Sequence, residues 1–288
     1  MKVFVTGGSG YIGRSLLRVL AERGDEVAAL VRSDTSAEVV QGLGATPVRG
    51  DLTDADLLRA SAAAADGVIH LALTGDERSG EVDALASAAL LDGAEDRPYV
   101  HTGGAWTWGD TGGPVDEDAP YDPPQITAWR VAGEDRVLAA AQQGRHPVVV
   151  SPGLVYGRQG GLPGFFAWQG TQRGAVPYLG DGDTHWSLVH VDDIAALYAL
   201  ALKAPAGSRY LGVTGQDVTT RQVAEALSTA IGVPGKTVSC TVEELREHLG
   251  PVADALALDQ RFATTRARDE LGWEPRHLDA LGDLAAGR

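Results

Sequence analysis

Residues 6–13 read Thr-Gly-Gly-Ser-Gly-Tyr-Ile-Gly, a spacing of glycines that suits the binding of a phosphate-bearing ligand. An apolar run at residues 3–6 precedes them, and leucines with helical spacing follow. At such a strand-to-helix turn, glycines let the backbone approach a pyrophosphate, and the N-terminus of the helix stabilises its negative charge. The pattern predicts a dinucleotide site with contacts at Gly7, Gly10, Tyr11, Ile12 and Gly13.

The end of the next apolar run, residues 27–31, indicates which dinucleotide is bound. A site that prefers NAD carries an Asp or Glu there, which binds the ribose hydroxyls. This chain has Arg32 and Ser33 instead, which suit the 2′-phosphate of NADP(H) and supply local positive charge in an acidic protein. We predict NADP(H) as the cofactor, with NAD(H) as the alternative because Asp34 follows directly.

Short apolar runs alternate with helical patterns through the first half of the chain. The runs that read as strands are residues 3–6, 27–31, 46–49, 68–72, 98–101 and 148–150. Strands that alternate with helices pair in parallel through right-handed crossovers. The sequence therefore predicts an α/β fold: a doubly wound parallel Rossmann sheet with a small, mostly helical substrate cap and a lid loop.

The pattern changes after the sixth predicted strand. Residues 157–185 contain eight glycines and two prolines, which is typical of a long functional loop. Residues 188–191 and 192–202 again read as a strand and a helix, and the chain from about residue 215 is mostly helical in pattern. We predict a dinucleotide-binding domain from residues 1–156 and 187–214, with a lid and substrate-binding cap from residues 157–186 and 215–288.

Composition limits the partners of this chain. Its 288 residues carry a formal net charge of −15, so we expect no binding to nucleic acid or to anionic membranes. Cys240 is the single cysteine, no signal peptide is recognisable, and no apolar run is long enough to span a bilayer. We expect a cytoplasmic monomer or homodimer that acts on a small molecule, and we predict no metal site.

Several motifs together resemble those of extended and atypical short-chain dehydrogenases/reductases of the NAD-dependent epimerase/dehydratase type. Besides the glycine turn, the matching segments are Gly-Asp-Leu at 50–52, His-Leu-Ala at 70–72, Ser-Pro-Gly-Leu-Val-Tyr-Gly at 151–157, His-Val-Asp-Asp-Ile-Ala at 190–195 and Leu-Gly-Trp-Glu-Pro at 271–275. The resemblance covers nearly the whole chain and implies the same Rossmann fold. It implies further cofactor contacts at Asp51, Leu52, Leu71, Ala72, Leu73, Thr102, Arg130, Pro152, Leu154 and Val155.

The chain departs from this family at the catalytic residues. The family's usual machinery is a Ser or Thr with Tyr-x-x-x-Lys, but none of the seven tyrosines here has a lysine four residues later. The resemblance puts Arg130 at the Lys position, Ile126 at the Tyr position and Gly104 at the Ser position. A shifted register puts Gly133 and Trp129 at the first two positions instead, and neither register supplies a phenol.

No catalytic residue is therefore assigned with certainty from the sequence. The remaining candidates are Thr102, for a polar contact, and Arg130, which would orient the ribose or a phosphate. Five of the six tryptophans lie between residues 106 and 186, and such rings suit a large flat aromatic substrate. The predicted substrate contacts are Gly104, Trp106, Trp108, Ile126, Trp129, Phe165, Trp168 and Trp186.

These features lead to one hypothesis and two alternatives. The hypothesis is an NADPH-dependent ketoreductase that reduces a polycyclic aromatic ketone or quinone without the triad, similar to atypical short-chain reductases of aromatic polyketide pathways. The substrate or solvent would supply the proton. The first alternative is a nucleotide-sugar epimerase or dehydratase, whose chemistry needs the missing Tyr. The second is a non-catalytic redox sensor that binds NADP(H).

Overall fold

The computed structural model describes residues 1–288, which form fourteen strands and twelve α-helices. In chain order the strands are β1 Lys2–Thr6, β2 Glu26–Val31, β3 Thr46–Arg49, β4 Gly67–His70, β5 Pro98–Thr102, β6 Pro114–Val115, β7 His146–Pro152, β8 Leu154–Tyr156, β9 Val176–Leu179, β10 His185–His190, β11 Ser208–Gly212, β12 Asp217–Thr219, β13 Thr237–Cys240 and β14 Arg261–Phe262.

The helices alternate with these strands in the first part of the chain and dominate its end. They are α1 Tyr11–Glu22, α2 Asp34–Gly42, α3 Ala55–Ala63, α4 Ser79–Ala94, α5 Ala128–Ala139, α6 Gly161–Arg173, α7 Val191–Ala201, α8 Thr220–Ala230, α9 Val242–Leu249, α10 Val252–Leu256, α11 Arg266–Leu271 and α12 Ala280–Ala285. Short 3₁₀ helices span Ala105–Trp108 and Ala140–Gln143. None of the helices is long and apolar enough to cross a membrane.

Seven strands form the central sheet in the order β11-β7-β5-β4-β1-β2-β3, and every neighbouring pair is parallel. One hydrophobic core packs α1 and α7 against one face of the sheet, and another packs α3, α4 and α5 against the other face. The inner strands β1, β2, β4, β5 and β7 are largely buried between these two cores, which explains their continuous apolar runs. The predicted doubly wound fold is confirmed. Its strand order reverses at β1 and β4, where such sheets bind their ligands.

The predicted strand at residues 188–191 does not join the central sheet. It is the end of β10, which lies between β8 and β12 in a separate three-stranded sheet. The seventh central strand is β11, which sequence reasoning missed. This edge strand carries only two large apolar residues, Tyr210 and Leu211, so it lacks the continuous apolar run that marks the inner strands.

The predicted lid loop within residues 157–186 is wrong. The helix α6 and the strand β9 occupy most of this segment. Its glycines misled the prediction because one of them serves close packing rather than a loop: a Cβ on Gly170 would lie 2.6 Å from Cγ2 of Val176 and 2.8 Å from Cδ1 of Ile231. Removing the side chain lets α6 pack tightly against β9 and the end of α8.

A further hydrophobic core lies outside the central sheet. It joins Phe166 of α6 and Trp186 of β10 to Leu227, Leu256 and Leu284 from the C-terminal helices. The C-terminal part is mostly helical, as predicted, with the short strands β12, β13 and β14 added. The turn between α9 and α10 brings this part of the chain next to the carboxyl ends of the central strands.

Candidate active site

The glycine turn holds the loop after β1 close to the end of β4. Gly7 has a φ of +75°, and a Cβ there would lie 2.8 Å from the amide nitrogen of Ala72, which follows Leu71 at the end of β4. A Cβ on Gly13 would overlap the carbonyl oxygen of Gly7. Gly10 precedes α1 and makes no side-chain capping hydrogen bond. The first N–H groups of α1, including that of Ile12, are therefore available to an anion, and this turn fits the pyrophosphate of a dinucleotide.

Tyr11, the first residue of α1, connects the glycine turn to the segment after β8. Its hydroxyl donates a hydrogen bond of 2.7 Å to the carbonyl oxygen of Gly157. Burial raises the pKa of this phenol well above its usual range, and the charge of Asp192 raises it further. Tyr11 therefore keeps its proton at neutral pH and acts as a structural contact.

The residues after β2 carry the expected positive charge. Arg32 is exposed, and Ser33 caps α2 by accepting a hydrogen bond of 3.1 Å from the amide of Ser36. Asp34, the residue that kept NAD(H) open, pairs with Arg49 on β3. The side chain of Asp34 is 91% exposed, so this surface pair leaves its carboxylate accessible.

Asp51 lies at the same end of the site. Its Oδ1 accepts hydrogen bonds of 3.0 Å from the amide and the hydroxyl of Thr53. The backbone hydrogen bond from Thr53 lowers the pKa of Asp51, and the charges of Arg32 and Arg78 lower it further. The adjacent Leu52 is buried in the core, so only its backbone can meet a cofactor.

A cavity of about 900 Å³ opens at the carboxyl ends of β5 and β7, beside the glycine turn. The predicted site residues that line it are Tyr11, Leu73, Thr102, Gly104, Trp106, Ile126, Trp129, Arg130, Pro152, Leu154 and Val155. This volume lies within the range of cavities that hold small molecules. Residues predicted for the cofactor and for the substrate therefore share one site.

Thr102 and Arg130 meet at the inner wall of this cavity. The hydroxyl of Thr102 donates to the carbonyl oxygen of His70 at 2.7 Å and accepts from the hydroxyl of Tyr198 at 3.0 Å. Nη1 of Arg130 donates to the carbonyl oxygen of Thr102 at 3.1 Å, and its Cζ lies 4.6 Å from the centre of the Trp129 ring. The guanidinium is thus held between a strand end and an aromatic face.

Two predicted substrate contacts are wrong because their rings are buried elsewhere. Trp108 is 2% exposed and packs against Tyr121 and Phe262, with ring centres 5.0 Å and 5.9 Å away. Trp186 is 5% exposed, and its Nε1 donates to the carbonyl oxygen of Leu256 at 2.9 Å. Both rings stabilise the core, a use of tryptophan that its position in the sequence did not distinguish from ligand binding.

Phe165 and Trp168, predicted to cover the substrate, do not line the cavity either. Phe165 packs against the second core, and its ring centre lies 5.9 Å from that of Trp168. Trp168 is 57% exposed and borders a smaller depression on the outer side of α6. We expected a loop to hold these rings over the carboxyl ends of the central strands. Both rings instead lie on the helix α6, outside the cavity.

The cavity also contains residues that the sequence did not single out. Leu249, Pro251 and Val252, from the turn between α9 and α10, form its outer wall, and Asp76 and Glu77 stand at its exposed rim. The apolar residues next to Gly250 read as an ordinary break between two helices. Only the folding of the C-terminal helices over the sheet brings them to the cavity.

A buried charge network lies behind Thr102. Nε2 of His70 and Nε2 of His101 lie 3.4 Å and 3.7 Å from the two carboxylate oxygens of Asp83. Their Nδ1 atoms contact the hydroxyls of Thr6 and Tyr99 at 2.6 Å and 2.9 Å. Burial lowers the pKa of His101 to about 3. Burial alone would raise the pKa of Asp83, but the close approach of His70 and the charge of Arg130 outweigh it and lower that pKa.

A second polar cluster ties α1 to α7 and to the C-terminal segment. Asp192 accepts hydrogen bonds from Ser15 at 2.8 Å and from Arg158 at 2.9 Å, so its role is structural. The rings of His190 and His277 stack with their centres 3.6 Å apart. In this cluster and in the network behind Thr102, ligand-type atoms approach within 4.8 Å of one another, so these are the places where the chain could hold a metal ion.

Comparison with known proteins agrees with this geometry. The chain is 33% identical to an uncharacterized protein of Schizosaccharomyces pombe, over 99% of each chain. It is 30% identical to the 4-hydroxy-2-methyl-3-oxo-4-farnesyl-3,4-dihydroquinoline-1-oxide ketoreductase of Stigmatella aurantiaca, over 98% of this chain and 96% of the relative. It is 28% identical to the 2-alkyl-3-oxoalkanoate reductase of Stenotrophomonas maltophilia, over 81% of this chain and 77% of the relative.

Solved structures share the fold. The UDP-glucose 4-epimerase of Thermus thermophilus in complex with NAD superposes with a TM-score of 0.81 at 23% identity, over 100% of this chain and 98% of that chain. The dTDP-glucose 4,6-dehydratase DesIV of Streptomyces venezuelae, as a double mutant with NAD bound, gives 0.84 at 22% identity, over 100% and 96%. The model of the NAD dependent epimerase/dehydratase family matches residues 3–211. The chain belongs to this family.

Proposed function

We propose that this protein is an NADPH-dependent ketoreductase that reduces a polycyclic aromatic ketone or quinone without the Ser-Tyr-Lys triad. The observation that carries the proposal is the cavity of about 900 Å³ beside the glycine turn. Its walls are largely apolar, with Trp106 and Trp129 on the inner side and Leu249 and Val252 on the outer side. Arg130 is the one cationic side chain among the lining residues.

The chemistry follows from what these residues can and cannot do. When bound, the nicotinamide supplies a hydride. The one phenol among the lining residues is that of Tyr11, which already donates a hydrogen bond to Gly157 and whose pKa is raised. The proton therefore comes from the substrate, through a hydroxyl near the ketone, or from solvent. The apolar walls exclude water, and Arg130 stabilises negative charge that develops on oxygen.

The magnitudes allow such a reaction. A positioned general acid contributes about 10²–10⁴-fold in rate. Orientation in a closed site contributes roughly 7–11 kcal/mol, which is the larger effect. The absence of a phenol at position 126 therefore slows the reaction without abolishing it.

The names of the relatives support ketone reduction. Two of them are named as reductases of a 3-oxo compound, one a quinoline derivative and one an alkanoate. The missing triad also resembles the atypical reductases of aromatic polyketide pathways, such as the angucyclinone ketoreductase of simocyclinone biosynthesis. Preference for NADPH rests on Arg32, which is exposed directly after β2.

The nucleotide-sugar alternative fits less well. Such a substrate carries a diphosphate, which needs cationic partners, but the rim of the cavity carries Asp76 and Glu77. Epimerases and dehydratases of this type also need the phenol that Ile126 replaces. The redox-sensor alternative predicts tight NADP(H) binding with no turnover.

Stopped-flow measurement of NADPH absorbance with a panel of polycyclic ketones and quinones tests the proposal. We expect oxidation of NADPH that depends on both enzyme and ketone, with much slower oxidation of NADH. Binding of NADPH without oxidation by any member of the panel would support the sensor instead.

A further inference from the structure

Arg130 is a cation with unused hydrogen-bond donors facing the cavity. Of its guanidinium nitrogens only Nη1 makes a hydrogen bond, to the carbonyl oxygen of Thr102 at 3.1 Å. Glu134 lies one helical turn further along α5, but burial raises the pKa of its carboxyl to about 8 and makes it a weak partner for a cation at neutral pH. Arg130 has no carboxylate partner within 4.0 Å. A buried or half-buried charge with unpaired donors is costly unless a ligand pairs with it.

The surroundings of Arg130 fix the direction in which a ligand must approach. The Trp129 ring supports one face of the guanidinium, with Cζ 4.6 Å from the ring centre. On the strand side, Gly104 presents no side chain, and a Cβ there would lie 3.9 Å from both Cδ and Nε of Arg130. Gly104 therefore leaves room for at least a methyl-sized group beside the guanidinium, on the side where both residues line the cavity.

A guanidinium recognises pairs of oxygen atoms. Its N–H donors form a planar fork that matches two oxygens a few ångströms apart, whereas an ammonium acts as a single point charge. A lone ketone oxygen would satisfy one arm of this fork. A ketone with a hydroxyl group one or two carbons away would accept hydrogen bonds from both arms of the fork.

We propose that Arg130 is the specificity-determining residue of the substrate site, and that it binds ketones with a hydroxyl oxygen adjacent or peri to the carbonyl. This inference rests on the proposed ketoreductase function and names the substrate class within it. It departs from the expectation that Arg130 orients the cofactor ribose or a phosphate. The fork holds both oxygens, so the carbonyl is oriented without help from a tyrosine.

The same arrangement explains the source of the proton that the carbonyl oxygen receives. The carbonyl carbon gains the hydride from NADPH, and the π electron pair of the carbonyl moves to its oxygen. That oxygen takes the proton of the neighbouring hydroxyl, whose O–H bond breaks. The neighbouring oxygen keeps the electron pair as an oxyanion paired with Arg130, and it takes a proton from water after the product leaves.

Three tetralones separate the parts of this proposal: a peri-hydroxytetralone, its methyl ether and unsubstituted tetralone. The steady-state constants for NADPH oxidation are measured with each ketone for the wild-type enzyme, Arg130→Met, Arg130→Lys and Arg136→Met. Arg136 is exposed on the same helix and serves as the matched control. The Kd of NADPH is measured separately for each variant by fluorescence.

We expect the wild-type enzyme to prefer the hydroxytetralone. Arg130→Met should lower kcat/KM for that ketone by about tenfold to hundredfold, the size of a lost charge-assisted hydrogen bond. It should lower kcat/KM for unsubstituted tetralone by a clearly smaller factor, because a lone carbonyl oxygen uses only one of the two donors, and it should leave the Kd of NADPH unchanged. Arg130→Lys should not restore the preference, because it lacks the fork. The methyl ether should bind like the hydroxytetralone but turn over more slowly.

Two results would overturn the inference and leave the reductase intact. One is equal loss of activity toward all three ketones in Arg130→Met. The other is an increase in the Kd of NADPH that accounts for that loss, which would return Arg130 to the cofactor. Failure of the wild-type enzyme to oxidise NADPH with any of the three ketones would count against the inference and the proposed function together.

Discussion

The side chain of Arg130 passes 3.9 Å from the point where a Cβ on Gly104 would stand. By resemblance to the family these two positions hold Lys and Ser, so a larger cation here faces a missing side chain. The two departures lie side by side at one corner of the cavity, at ordinary contact distance. This pair defines the site more clearly than either residue does alone.

Gly104→Ser should be tolerated without restoring catalysis. Gly104 has a φ of −170°, which any residue adopts, and its nearest neighbours stand at ordinary contact distance. We expect the free energy of unfolding to stay within about 0.5 kcal/mol of the wild-type value. We also expect no rate gain of the ~10²–10⁴-fold size that general acid catalysis gives, because no phenol is present to work with the serine.

Gly103→Ser is the matched contrast for that substitution. A Cβ on Gly103 would overlap Oγ of Ser151 and lie 2.8 Å from Oε1 of Glu134. We expect it to destabilise the protein by ~1–3 kcal/mol, as overpacking does. Urea unfolding and NADPH oxidation measured on both variants check the pair. A large gain in rate for Gly104→Ser would contradict this prediction, because it would mean that the site contains a general acid that works with the serine.

Arg32→Ala should weaken NADPH binding selectively. If Arg32 meets the 2′-phosphate, its loss raises the Kd of NADPH by about tenfold to hundredfold, while the Kd of NADH changes little. Titration of both cofactors by fluorescence measures the ratio. Arg145→Ala, a substitution of an arginine that contacts Asp92 on another face, is the control. Equal weakening of both cofactors would assign Arg32 a role outside phosphate recognition.

The inner strands of the central sheet were predictable from the sequence because they are buried on both faces. Residues 98–101 coincide with most of β5. The edge strand β11 was not predictable, since Tyr210 and Leu211 are its only large apolar residues. The local sequence pattern indicates which residues of a strand are buried, but it does not indicate which sheet the strand joins.

The inner wall of the site was also predictable, because family position located Thr102, Trp129 and Arg130 at the ends of known strands and helices. The outer wall was not. Leu249 and Val252 reach the cavity through contacts between elements far apart in the chain, and no local spacing encodes such contacts. The same limit explains why a tryptophan in the core could not be told from one at the ligand.

The tryptophans that remain in the cavity should affect substrate binding rather than stability. Trp106→Ala and Trp129→Ala remove apolar walls, so we expect KM for an aromatic ketone to rise about tenfold or more, the effect of losing ~1–2 kcal/mol of aromatic contact. Trp108→Ala removes a ring that is 2% exposed and should lower the free energy of unfolding by about 3–5 kcal/mol. Steady-state kinetics and urea unfolding on the three variants separate the two classes. Trp108→Phe keeps most of the packing, so a rise in KM for this variant would show that Trp108 contacts the substrate.

The charge network behind Thr102 should make the fold sensitive to acid. His101 is neutral in the fold because burial lowers its pKa to about 3, whereas an unfolded histidine titrates near its usual 6.5. Between those values the unfolded chain binds the additional proton, so stability is complete above the higher value and falls as the pH decreases. The lowered pKa of Asp83 acts in the same direction at lower pH. The histidine alone lowers the free energy of unfolding by up to about 1.4 kcal/mol for each pH unit in this window.

Urea midpoints measured from neutral pH downward should therefore fall less steeply in His101→Gln than in the wild-type protein. His248→Gln, at an exposed site, should follow the wild-type slope. Parallel curves for His101→Gln and the wild-type protein would mean that His101 already carries its proton in the fold, and that the network stabilises a cation beside Asp83.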